Sequence, residues 1–348
     1  MTLKEIAARA GVSVSTVSRV INSPDDSFAR REVRERIWDI VRETGYVPNG
    51  AARELKTGKS SAVGAKTHTL TCVLGRTLRR DDNPFFASVA RAAEQQALDL
   101  GYVVTSSYSL FDIDNSALLR KIEDSRTDGA IVLGRFDSGM SRFFSSHYKN
   151  LVYVGRNPID EPWDQVICDG YEATKTAIEH LIAYGHTRIG YIGDTENEVR
   201  YQAYRDTVRL RGLDDDMSLV ASAAHDGQGG YAGAKQLLER ANPLPTAVFC
   251  AADVAAIAAM KMFSEADIRV PAQLSVIGLD DIELAAYVSP MLTTVSIPKV
   301  ELGAVAVRTL VDRIERVHRL PMKIYIPHKL IVRESTAMES IVDKGSYI

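Results

Sequence analysis

The sequence predicts an α/β protein: a small all-α unit at the N-terminus, then two lobes of parallel sheet covered by helices. Three observations lead there. The first 46 residues carry only helix signals, and from Leu70 onward short apolar runs alternate with amphipathic helical stretches. Those alternating units occupy nearly 270 of the 348 residues, more than one typical domain.

The elements follow in order. Thr2 and Glu5 have capping-box spacing, so a helix should begin at Leu3. Leu3, Ile6, Ala7 and Ala10 form its apolar stripe, and Gly11 suits the left-handed turn that ends it. Ser13 then caps a second helix from Val14 to about Asn22. Val17, Val20 and Ile21 lie on one side of it, and Ser15, Ser18, Arg19 and Asn22 on the other. Pro24 stops it. A third helix turns Val33, Ile37, Ile40 and Val41 inward and ends before Gly45. Three short helices with a glycine turn between the first two make a helix-turn-helix unit. Pro48 keeps Val47 extended, and Asn49 can cap a short helix through Leu55, closed by Gly58. Polar, small residues from Lys59 to Thr69 read as a linker.

Seven strands are expected beyond it, starting at Leu70, Tyr102, Gly129, Leu151, Arg188, Ala247 and Leu274. Leu292–Pro298 and Ile324–Val332 are late extended runs that carry the chain between lobes. The boundaries drawn are 1–46 for the helix-turn-helix unit, 47–61 for hinge helix and linker, 62–338 for the two-lobed core and 339–348 for a tail without pattern.

Composition narrows the function. Hydrophobic residues at 45% and charged residues at 25% exclude a disordered or fibrous chain. No run approaches the ~20 apolar residues of a membrane span, and the N-terminus lacks the layout of a signal peptide, so a cytoplasmic protein is expected, with no membrane partner. Cys72, Cys168 and Cys250 are odd in number and widely spaced, which fits buried thiols rather than disulfides or a zinc site. No GxSxG, HExxH, Walker or CxxC pattern occurs, and the seven histidines show no metal-ligand spacing, so no catalytic residue, metal or cofactor is indicated. The net charge of −3 is unevenly spread. Residues 1–59 carry 11 Lys and Arg against 8 Asp and Glu, and the remainder 31 against 37, the asymmetry a DNA-facing N-terminal module needs.

Read together, TLKEIAARAGVSVSTVSRVIN from Thr2, GYVPNGAARELKTG from Gly45, NPFF at Asn83, and VPAQLSVIGLDD with SPMLTTV strongly resemble the LacI/GalR family of bacterial transcription regulators. The resemblance covers residues 2 to about 336. It implies a homodimer, or a tetramer, with a DNA-reading headpiece, a hinge helix and a core like that of periplasmic sugar-binding proteins. It also implies a palindromic operator and a small-molecule effector as partners. NSPDDSF, IPHKLIVREST and the NPFF context look like regulators of galactoside utilisation, which makes a galactose-containing sugar the expected effector.

By match to the family motif, Val14 and Ser15 take the specificity positions at the start of the recognition helix and Arg19 the nearly constant arginine. A guanidinium can bond guanine O6 and N7 together, and Val14 can contact a thymine methyl. Thr16, Ser18 and Asn22 are assigned to phosphates. Asn49, Ala52 and Leu55 match the hinge helix, with Leu55 as the minor-groove wedge. Gly50 departs from the larger residue usual there. The alternatives are a polar face used for protein contact and an inert linker.

For the effector, Arg200 and Asp280 match family positions just beyond strands, where ligands of such sheets sit. Phe85 and Phe86 offer an apolar wall, and Asp253 a further polar contact. His225 stands where a large aromatic is usual, and the Asn that often precedes Asp253 is absent. The competing structural readings are a surface or interlobe salt bridge for Arg200 and Asp280, and capping or packing for the others. A sugar-binding protein without DNA regulation is the alternative function.

Overall fold

The structure is a computed structural model that describes residues 2–22, 29–44, 66–75, 83–109, 126–136 and 138–339. The chain divides into two compact units, residues 1–65 and 66–348.

In the first unit, α1 (Leu3–Ala10), α2 (Val14–Asn22) and α3 (Arg31–Thr44) surround a core of Ile6, Ala7, Ala10, Val17, Val20, Ile37 and Ile40. The local signals at the start and end of α1 and at the start of α2 are made, whereas the stops expected at Pro24 and Gly45 lie outside the described residues. Thr2 N–H donates to Glu5 Oε2 at 2.8 Å, and Glu5 N–H to Thr2 Oγ1 at 3.4 Å. Gly11 has φ +68°, a conformation a Cβ would penalise. Ser13 Oγ accepts the Thr16 N–H at 3.1 Å.

The second unit contains two six-stranded sheets. The first lobe is built from β1 (Thr69–Leu74), α4 (Pro84–Asp99), β2 (Val103–Ser109), β3 (Gly129–Leu133), α5 (Ser138–His147), β4 (Leu151–Gly155) and β5 (Asp164–Ile167). The chain then crosses to the second lobe. There it lays down α6 (Gly170–Ala183), β6 (Ile189–Gly193), α7 (Val199–Leu210), β7 (Val220–Ser222), α8 (Gly227–Arg240), β8 (Ala247–Cys250), α9 (Asp253–Glu265), β9 (Ser275–Asp280) and β10 (Thr293–Ser296). It returns with α10 (Lys299–Ile314) and β11 (Lys323–Tyr325), then ends in the second lobe with β12 (Lys329–Ile331). The orders are β11-β5-β4-β3-β1-β2, all parallel, and β12-β10-β9-β8-β6-β7, parallel except for the antiparallel β10–β12 pair. Three crossings, near 168, 297 and 327, therefore join the lobes.

β3, β4, β6 and β8 are continuous apolar runs buried on both faces, as a parallel sheet under helices requires, and β1 departs from this only at Thr69 and the buried Thr71. α10 lies so close to α4 that a Cβ at Gly303 would overlap Val89 O and come within 2.8 Å of Ala93 N. Two strands escape the sequence pattern. β5 begins with the fully buried polar pair Asp164 and Gln165, and β7 is three residues long. The cysteines are free and buried. Among the described residues no helix is long and apolar enough to cross a membrane. Glu339 N–H still donates to Tyr184 O at 2.8 Å, so residue 339 packs with the core rather than beginning a tail.

Candidate functional sites: a helix face and an interlobe cleft

Amphipathicity divides α2 sharply. Val17 and Val20 are buried, whereas Val14, at 36% exposed, stands with exposed Ser15 and Arg19 on the opposite side. The Ser13 hydroxyl gathers those of Ser15, at 2.7 Å, and Thr16, at 2.8 Å, at the helix N-terminus, where backbone N–H groups favour an anion. Ser18 is half-buried on the same helix. The side chain of Asn22, and all of Asn49, Ala52 and Leu55, lie outside the described residues.

In the core, the carboxyl ends of β3, β4, β6 and β9 face a cavity of about 660 Å³ between the lobes, within the range of small-molecule sites. Phe85, Phe86, Arg200, His225 and Asp280 line it. So do Arg135, Arg156 and Glu198, which sequence reasoning passed over. Each of those arginines follows a glycine at a strand end, Gly134-Arg135 after β3 and Gly155-Arg156 after β4, and this repeated dipeptide was the available signal.

The first lobe's arginines reach across. Arg135 donates to Glu198 Oε2 at 3.2 Å and to the carbonyls of Glu196 and Asn197 at 3.1 and 2.6 Å. Arg156 pairs with Asp280 Oδ1, and its guanidinium carbon lies 4.2 Å from the Phe85 ring centroid. Phe85, expected as an open wall, is thus 3% exposed and roofed by Arg156, leaving the half-buried Phe86 ring as the more accessible of the two. Arg156 Nε and Asn157 Oδ1 are buried without a hydrogen-bond partner among the described residues, so the cleft keeps a donor and an acceptor in hand.

Arg200, expected to offer its fork to a ligand, is largely committed to the protein. Its Nε and Nη2 hold the Glu198 carboxylate at 2.8 and 2.9 Å, Nη1 reaches Ala251 O at 2.6 Å, and Nη2 meets His225 Nδ1 at 3.0 Å. The competing salt-bridge reading therefore describes Arg200 in part, though its partner is Glu198, two residues away in the same lobe. Burial alone would raise the Glu198 carboxyl, but the charge and hydrogen bonds of Arg200 overturn this and hold it well below the usual carboxylate range. Burial pushes Asp280 up, and Arg156, Arg200 and Lys299 oppose it. His225 takes two donors, the Arg200 guanidinium at Nδ1 and the Asp194 N–H at Nε2, 3.1 Å away. A neutral imidazole accepts at one nitrogen only, so the ring satisfies one of them at a time.

Asp253 is the correction. It is fully buried and does not line the cavity. Its oxygens accept the Thr294 hydroxyl at 2.6 Å and the Ile282 N–H at 3.0 Å, fastening the turn after β9. Burial, reinforced by Asp280, pushes its carboxyl up to about 7.

Two family models match the chain. Residues 2–49 match the model of bacterial regulatory proteins, lacI family, and residues 178–336 that of a periplasmic binding protein-like domain. The HTH-type transcriptional repressor MelR of Bacillus subtilis (strain 168) is 30% identical over 346 residues, covering 96% of each chain. The ribose operon repressor of Escherichia coli (strain K12) is 31% identical, covering 90% of this chain and 93% of the relative. A solved transcriptional regulator CelR–cellobiose complex superposes with a TM-score of 0.71 at 28% identity, covering 96% of this chain and 99% of that one. The chain belongs to the lacI family of bacterial regulatory proteins.

Proposed function

We propose that the protein binds a palindromic operator as a homodimer, in the cytoplasm, and is switched by a neutral sugar, a galactoside being the specific candidate, held between its lobes. The observation that carries the DNA half is the α2 surface, where Val14, Ser15 and Arg19 stand exposed opposite the buried Val17 and Val20. In this reading Arg19 and Val14 contact base edges, while Thr16, Ser18 and Asn22 contact phosphates and fix register. Asn49, Ala52 and Leu55 are assigned to the hinge contact with the operator, with Leu55 as the minor-groove wedge.

Charge balance in the cleft supports a neutral effector. The lining cations Arg135, Arg156 and Arg200 face the carboxylates of Asp194, Glu198 and Asp280, and Asp226 lines the cavity as well, so no net positive charge is left for a phosphate. Pairs of guanidinium and carboxylate suit vicinal hydroxyls, which donate and accept together. The related proteins include a ribose operon repressor and a regulator in complex with cellobiose; galactoside specificity rests on the NSPDDSF and IPHKLIVREST segments. Sugar binding that changes the lobe angle would change operator affinity, and the operator must change sugar affinity by the same factor.

The test is a mobility shift on a palindromic site with Arg19→Ala as control. Wild type should retard the site and release it, or hold it more tightly, with sugar. Equal retardation by mutant and wild type at moderate salt would defeat the base-reading assignment.

A further inference from the structure

The cleft is longer than the charged pairs that mark it. Along the second lobe its wall passes from Asp280, which ends β9, to Ala252 and Val254 after β8, Glu198 and Arg200 after β6, and Ser222, Ala223 and Ala224 at the end of β7. These strands are neighbours in the order β9-β8-β6-β7. Three spacings of ~4.8 Å make a row ~14 Å long, which two or three pyranose rings of ~5 Å each span and one ring does not. Volume agrees with length. Even at the roughly 30 Å³ that a water takes in the liquid, the ~12 non-hydrogen atoms of a hexose fill only about half of the 660 Å³.

The two ends of the row differ in chemistry. At the β9 end Asp280 is 5% exposed and paired with Arg156, which lies over Phe85, so this end is enclosed and carries the charged groups that suit vicinal hydroxyls. At the β7 end three small residues follow one another, and Ser222 and Ala224 are exposed although they line the cavity, as is Asp226 beside them. The cavity therefore opens there, and its wall leaves room for a ring. A ligand buried to the extent usual in such pockets occupies both ends. Resting on the effector reading above, we propose that the effector is a neutral oligosaccharide of at least two rings, its terminal ring between Arg156 and Asp280 and the chain of rings running out along Ser222, Ala223 and Ala224.

The full-length protein is screened by thermal shift with two neutral series, galactose, melibiose and raffinose, and glucose, cellobiose and cellotriose, and the series that binds is titrated calorimetrically. Its two-ring sugar should bind at least roughly 10-fold tighter than its monosaccharide, because the second ring brings about 11 further non-hydrogen atoms into contact. Ala224→Leu and Ser222→Leu each place a branched side chain in the β7 end, at positions that are exposed. Either should weaken the longer sugars roughly 10-fold while leaving the monosaccharide within about 2-fold of wild type, whereas a merely structural effect would weaken every length alike. Two variants keep the test open should one of them not fold. A monosaccharide that binds as tightly as its longer relatives, or folded variants that weaken all lengths equally or none, overturns the inference and leaves the effector reading intact. A wild type indifferent to all six sugars removes both.

Discussion

Replacing Glu198 by alanine should lower the melting temperature of the core by something near 10 °C. The carboxylate side chain is 1% exposed and the Arg200 side chain 5%, and their two hydrogen bonds are short and parallel. Removing one partner of such a pair strands a buried charge, at a cost of about 3–5 kcal/mol. Arg200 keeps Ala251 O and His225, which places the loss at the lower end, and the Glu198 contact to the Arg200 N–H at 3.3 Å, capping α7, adds about 1 kcal/mol. For a unit of this size each kcal/mol moves the midpoint by roughly 2–4 °C. Thermal unfolding followed by circular dichroism reads the effect directly. The pH dependence adds a check, since the folded carboxyl lies below its unfolded value. The stabilisation is therefore fully present above the unfolded pKa of ~4.3 and is lost as pH falls below it toward the folded one, so the gap between mutant and wild type should hold from pH 5 to 8 and narrow only in acid. The double substitution Glu198→Leu with Arg200→Met, which leaves no buried charge, should be more stable than Glu198→Ala alone. A drop below about 2 °C for Glu198→Ala, or a double variant worse than the single, would refute the argument.

Two further predictions concern the same neighbourhood. Asp253 has a folded pKa of about 7, raised above its unfolded value of ~3.9, so the folded state binds the extra proton and stability declines as pH climbs from about 4 to 7. Asp253→Asn cannot ionise and should remove that share of the slope in urea titrations across this range; parallel wild-type and mutant curves would contradict it. Arg135→Ala deletes the donors to Glu198, Glu196 and Asn197 that clasp the lobes, and should increase the radius of gyration seen by X-ray scattering of the sugar-free protein. An unchanged scattering curve would show that the clasp does not hold the cleft shut.

Legibility in the sequence tracked the distance over which a residue finds its partners. The headpiece could be read almost entirely, because Thr2 with Glu5, Ser13 with Thr16, and Gly11 satisfy their own helix ends within four residues. Continuous apolar strands were equally plain. β5 was hidden because Asp164 and Gln165 look like loop residues until their partners are known: Asp164 is held by Arg313, by His318 at 2.9 Å and by the Met322 N–H at 2.8 Å, all about 150 residues later. The cleft divides in the same manner. Arg200 and Asp280 were found because motif and strand end coincided, whereas Arg135 and Arg156 acquire meaning only from Glu198 and Asp280 across the gap. Asp253 was misplaced because the first residue of a helix can face a cavity or fasten a neighbouring turn, and only the position of Thr294 and Ile282 decides which.

That fastened turn is also where the cleft meets the connections between lobes. Asp280 and Asp281 both have positive φ, +130° and +52°, a backbone arrangement that costs non-glycine residues on the order of 1–3 kcal/mol each and persists only when its surroundings impose it. The surroundings are identifiable. Lys299 Nζ donates to the carbonyls of Asp280 and Asp281 at 2.5 and 2.8 Å, and Arg333 holds the Asp281 carboxylate at 2.6 Å. Lys299 opens α10 directly after the second crossing, and Arg333 lies just beyond β12, which follows the third. The carboxylate that Arg156 grips across the cleft therefore belongs to a strained turn braced from two of the three crossings. A ligand that competes with Arg156 for Asp280 would act on a residue whose carbonyl is held by Lys299 and whose neighbour's carboxylate is held by Arg333, so coupling between site and lobe angle would run through these two contacts rather than through the side chains that line the cavity.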